Sequence, residues 1–163
     1  MPEAKTRKAA AKAKRQGKSG STQAGEYVRE EMEHIRKGKH GARSAKQAIA
    51  IGLSKARRDG VKVPASKTAK KSTRKKAAQD ERAARHPRKT SAKRSHATKQ
   101  ALKREGHSAA SHQALSKQAH FSARKRTAGS KSAAAKKAVR TKGAAGRSAA
   151  AKKAARTRKR HSK

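Results

Sequence analysis

Larger apolar side chains are concentrated in one stretch of this chain. Tyr27, Val28, Met32, Ile35, Ile49, Ile51, Leu53, Val61 and Val63 all fall between residues 21 and 63, and outside it only Met1, Leu102, Leu115, Phe121 and Val139 occur. Ala24, Val28, Met32 and Ile35 recur at spacings of four, four and three, which is one face of an α-helix. The pattern predicts a helix from Ser21 or Thr22 to Lys37, stopped by Gly38 in the left-handed conformation that commonly ends helices. Glu26, Glu30, Glu31 and Glu33 take the remaining faces and are expected to be solvated, with Arg29–Glu33 and Glu33–Lys37 each four residues apart.

A second stripe runs through Ala45, Ala48, Ile49, Gly52, Leu53 and Ala56. Ser44-Ala45-Lys46-Gln47 fits a capping box at its start, in which Ser44 and Gln47 satisfy each other's backbone amides, and Asp59-Gly60 closes it. Alanine and glycine on this stripe let two helices approach closely. The six residues from Gly38 to Arg43 suit a short antiparallel helical hairpin over 21–63, with Val61 and Val63 returning over its open end. Ile51 lies off the stripe, either as an ordinary exposed isoleucine or as the contact of a weak homo-oligomer.

Elsewhere the pattern thins. A weak helical pair is predicted at 95–126 around Leu102 and Leu115–Phe121, where Gln113-Ala114-Leu115 echoes Gln47-Ala48-Ile49. Ordering a backbone costs roughly 1–2 kcal/mol per residue, and chains with so few large apolar groups do not bury enough surface to offset it. The expected fold class is therefore mostly α with extensive disorder, a short antiparallel helical hairpin flanked by basic low-complexity arms. Its zones are a disordered basic arm at 1–20, the hairpin at 21–63, a basic linker at 64–94, the weak pair at 95–126 and a Lys/Ala-rich tail at 127–163.

Charge changes the picture from structural to functional. The chain has 49 Lys and Arg against nine Asp and Glu, a formal net charge of +40 on 163 residues. The stretch 21–63 carries ten basic and five acidic side chains, whereas 64–163 carries 32 and three. Such a chain repels itself unless a polyanion is near, and nucleic acid is the expected partner. In the tail, Ser-Ala-Ala-Ala-Lys-Lys-Ala occurs at 132–138 and again at 148–154, a 16-residue period with Gly143 and Gly146 between. Lys136, Lys137, Arg140, Lys142, Arg147, Lys152, Lys153, Arg156, Arg158, Lys159 and Arg160 are the candidate phosphate-binding residues there. Phosphate neutralisation needs only dense cations on an adaptable backbone, and releases counterions as it proceeds. Lys39, His40, Arg43 and Lys46 form a second candidate set, because glycines, cations and a helix N-terminus together can hold a phosphate; the alternative is a capped connector with solvated cations.

Other chemistries find little. Without cysteine there are no disulfides, no thiolate nucleophile and no Cys-based zinc site. His107, His112 and His120 are the close histidine set, but spacings of five and eight do not align three imidazoles on one helix face, so no metal site is expected; these groups add charge below about pH 6.5. No paired carboxylates sit in an apolar setting and no nucleophile elbow occurs, so neither enzyme nor cofactor is expected. No secretory signal or membrane span is read, which points to a cytoplasmic, nucleoid-associated protein with no membrane partner. Tyr27 and Phe121 are the sole aromatic side chains besides histidine, too few for a base-stacking platform.

Residues 21–57, and above all Gly38-Lys39-His40-Gly41-Ala42-Arg43-Ser44 followed by Lys46 to Ser54, resemble an uncharacterised family of small basic bacterial proteins classed as a domain of unknown function. That resemblance implies a bacterial source and supplies no activity. The remainder resembles, in composition, the Lys/Ala-rich tails of linker histones and bacterial histone-like proteins. The function expected is non-sequence-specific binding and compaction of duplex DNA. The alternatives are an RNA-binding or ribosome-associated basic factor, and an adaptor that docks proteins on the acidic helix 21–37.

Overall fold

The computed structural model describes residues 2–66, 68–87 and 91–161, and for His161 its backbone alone. Its elements are α1 (Ala4–Arg15), α2 (Gly20–Arg36), α3 (Ala45–Arg58), α4 (Lys71–Arg85), α5 (Ala92–Arg104), a 3-10 turn at Ser108–Ala110, α6 (His112–Arg124) and α7 (Ala128–His161). Among the described residues there is no strand.

The two helices read from the hydrophobic pattern form where local chemistry places them. Lys37 caps α2 and Gly38 follows at φ +71°, a conformation glycine adopts without steric cost. At the start of α3, Ser44 Oγ accepts the Gln47 N–H at 3.3 Å, while Gln47 Oε1 accepts the N–H of Arg43 at 2.9 Å, one residue before the position a capping box assigns. Asp59 caps the far end and Gly60 turns the chain at φ +85°.

Two apolar clusters join these helices. Ala24 and Tyr27 of α2 meet Ala56 and Leu53 of α3, with Ala10 of α1 and the returning Val61 and Val63. Met32 and Ile35 meet Ala48 and Ile49, together with Val28, Ala42, Ala109, Ala110 and Leu115. Between the clusters the backbones come very close: a Cβ at Gly52 would lie 2.7 Å from Val28 Cα.

Extensive disorder in the flanks is not what the structure shows, and the reason lies in alanine. Alanine, lysine and arginine are strong helix formers, so the basic arms become helices. α1 then docks on α2 by burying Thr6, Ala10 and Ala13, and α4 docks on α3 through Ala77 and Asp80. The turn between α5 and α6 seats Ala109 and Ala110 against α2 and α3.

The chain divides into two compact units, residues 1–119 and 120–163. In the second, α7 keeps its described side chains exposed from Ala128 to Arg160 apart from half-buried Ala134. Gly143, at φ +63° and ψ −178°, breaks the helix between the two copies of the repeat.

Candidate nucleic-acid interface

All nine acidic side chains belong to the first unit; residues 120–163 hold sixteen Lys and Arg and no Asp or Glu. Lys136, Lys137 and Arg140 line a shallow groove on α7 with Ala133 and Thr141. Lys142, Arg147, Lys152, Lys153, Arg156, Arg158, Lys159 and Arg160 are exposed on the same element, on both sides of Gly143. Arg147 Nε donates to the Gly143 carbonyl at 3.2 Å, bracing the break. The helical segments before and after Gly143 are about 22 and 27 Å long at 1.5 Å per residue, the length of about seven to eight base-pair steps.

The connector of the first unit is built differently. Lys39 Nζ lies 3.0 Å from Glu3 Oε1, and Arg43 Nε lies 3.6 Å from Glu105 Oε1, so both cations face carboxylates from elsewhere in the chain. His40 is half-buried with Nε2 3.2 Å from Glu31 Oε1, while Lys46 is exposed. The Gly41 and Ala42 amides donate to the carbonyls of Leu102 (2.8 Å) and Gly106 (3.1 Å). The connector therefore serves as a seat for residues 102–106. A Cβ at Gly41 would lie 1.8 Å from the Glu105 oxygen, so only glycine permits that approach.

Glu30 and Glu31 are not solvated as the hydropathy pattern implies: their side chains are 4% and 1% exposed. Glu31 Oε2 accepts from Lys55 Nζ, and Glu30 Oε2 accepts the Glu3 N–H at 3.2 Å. Glu3 Oε1 in turn lies 2.8 Å from His34 Nε2, and the hydrogen bonds from His34 and then Lys39 hold the Glu3 carboxyl down at about 2. A signal for this burial exists: Ala24, Tyr27, Glu31 and His34 are spaced three, four and three, a stripe beside the apolar one.

α1, α2, α3 and the Val61–Val63 return thus share one set of apolar and polar contacts. Residues 4–67 match a family of unknown function, DUF6496. The DUF6496 segment extends the resemblance read from residues 21–57 at both ends, taking in α1 and the Val61–Val63 return. No curated protein and no solved structure matches the chain.

Outside the DUF6496 segment, Asp80 is buried with Ser54 Oγ at 2.8 Å, Lys76 Nζ at 2.8 Å and Arg58 Nε at 2.9 Å. Burial raises its pKa, but these hydrogen bonds outweigh it and hold the carboxyl below its ordinary value. Of the aromatic rings, Tyr27 is buried, whereas Phe121 is 53% exposed with Lys125 Nζ 4.2 Å from its centroid. Among the described residues no helix is long and apolar enough to cross a membrane.

Proposed function

We propose that this protein binds nucleic acid through its phosphate backbone without reading base sequence. Duplex DNA is the main partner, and the protein acts as a histone-like, nucleoid-associated factor of the bacterial cytoplasm. The observation that carries this reading is the segregation of charge: residues 120–163 hold sixteen Lys and Arg and no Asp or Glu, and the described cations of α7 are exposed, with every acidic side chain elsewhere. Cations on the two segments of α7 neutralise phosphates of one duplex or of two crossing ones, and so compact them. The α2–α3 pair works as a short antiparallel helical hairpin that pairs molecules weakly. Tyr27 is buried, and one exposed ring, Phe121, makes no stacking platform. The protein acts by binding, not by catalysis.

Full-length protein titrated against duplex DNA and structured RNA of matched length across a salt series tests the reading. Engaging about ten phosphates gives a slope near −9 in log affinity against log salt. Replacing the eleven candidate tail cations with glutamine is expected to flatten that slope and remove most affinity. An unchanged slope sinks the proposal; a clear preference for RNA moves the partner to ribosomal or other structured RNA.

A further inference from the structure

We propose that Glu31, His34 and His40 form a binding site for a divalent transition metal, with zinc the best fit, that staples the connector to α2. One ligand atom from each residue lies within 4.8 Å of the others. The site is enclosed: the side chains of Glu31, His34 and His40 are 1%, 13% and 17% exposed.

The geometry asks for a cation. His40 Nδ1 lies 3.1 Å from the Gly41 carbonyl, which only accepts, so Nδ1 carries a hydrogen and Nε2 is the ring nitrogen that faces Glu31 Oε1, 3.2 Å away. That carboxylate oxygen has no hydrogen-bond partner, and neither has Glu30 Oε1, 3.9 Å from His34 Nε2. Two buried, unsatisfied carboxylate oxygens facing two imidazoles cost free energy. A single dication meets the Glu31 oxygen and the His40 Nε2 lone pair together.

Zinc suits the donor set. Tetrahedral zinc bound at about 2.1 Å places its ligand atoms about 3.4 Å apart, close to the His40–Glu31 separation. His34 turns from its exposed hydrogen bond with Glu3 to complete the three protein ligands, and water takes the fourth position. The Gly41 carbonyl orients His40, and Lys55 holds the other oxygen of Glu31. The fold has a use for such a staple, because its core is mostly alanine and it has no disulfide.

The test uses full-length protein stripped with a chelator and titrated with Zn²⁺ by calorimetry and with Co²⁺ by absorption. The expected result is one equivalent bound per chain, with the intense visible bands of tetrahedral cobalt. Both are lost in His40→Gln and in Glu31→Gln, and kept when His107 and His112 are changed to glutamine together. His40 lies outside any helix, so far-UV circular dichroism of metal-free His40→Gln should equal that of the metal-free parent, which separates loss of a ligand from loss of the fold. Absence of stoichiometric binding, or equal binding by parent and His40→Gln, overturns the proposal. Neither readout involves nucleic acid.

Discussion

The Tyr27 hydroxyl of α2 donates to Asp59 Oδ2 at the end of α3, and Asp59 also takes Arg7 of α1, with Nε 3.1 Å from Oδ1. One carboxylate thereby ties three helices. Burial pushes the Tyr27 phenol pKa up, and the hydrogen bond to Asp59 pushes it further.

Tyr27→Phe removes that tie while keeping the ring. The expected cost is about 1–2 kcal/mol, read from urea unfolding followed by circular dichroism. A phenol whose folded pKa is raised contributes stability in full below its unfolded value near 10 and loses it as pH rises beyond. The gap between parent and variant should therefore narrow above about pH 10; a gap independent of pH would show that the hydroxyl plays no such part.

Glycine to alanine should have opposite signs at two positions of the same helix pair. Gly25 is exposed on α2 with nothing within 4 Å of where an alanine methyl would sit, so Gly25→Ala gains up to about 1 kcal/mol of helix propensity. Gly52→Ala drives its Cβ to 2.7 Å from Val28 Cα, and overpacking of that kind costs roughly 1–3 kcal/mol, which outweighs the propensity gain. Thermal midpoints moving in the same direction for both variants would contradict the close approach.

Gly41→Ala is expected to undock residues 102–106 without melting α2 or α3, since its Cβ collides with the Glu105 carbonyl rather than with the helix pair. Hydrogen exchange checks this. The Gly106-bonded amide of Ala42 should exchange faster, while amides within α2 and α3 keep their protection.

Asp80 makes α4 docking sensitive to acid. Its lowered folded pKa means that its contribution is present above the unfolded value near 4 and is lost as pH falls through the lower folded value. Asp80→Asn should mimic the acid state at neutral pH, loosening α4 by about 2 kcal/mol. Exchange protection across Lys71–Arg85 is the measurement; protection in the variant equal to the parent at neutral pH would remove Asp80 from this role.

The ends of α2 and α3 were legible in the sequence because their causes are local. A left-handed glycine at 38 or 60 and a serine cap at 44 act within one turn of chain, whatever surrounds them. Segregation of charge was equally legible, since it is a property of residue order. Burial of Glu30 and Glu31 was not, because a hydropathy pattern puts charge outside and the groups facing these carboxylates come from Glu3, His34, His40 and Lys55. The ordered flanks were missed for a related reason. Counting large apolar side chains neglects alanine, yet Ala10, Ala24, Ala48, Ala56, Ala109 and Ala110 form much of both clusters. Small side chains contribute to a core only when backbones lie within van der Waals reach, and that proximity, set at Gly52 against Val28 and at Gly41 against Glu105, is a property of the tertiary structure alone.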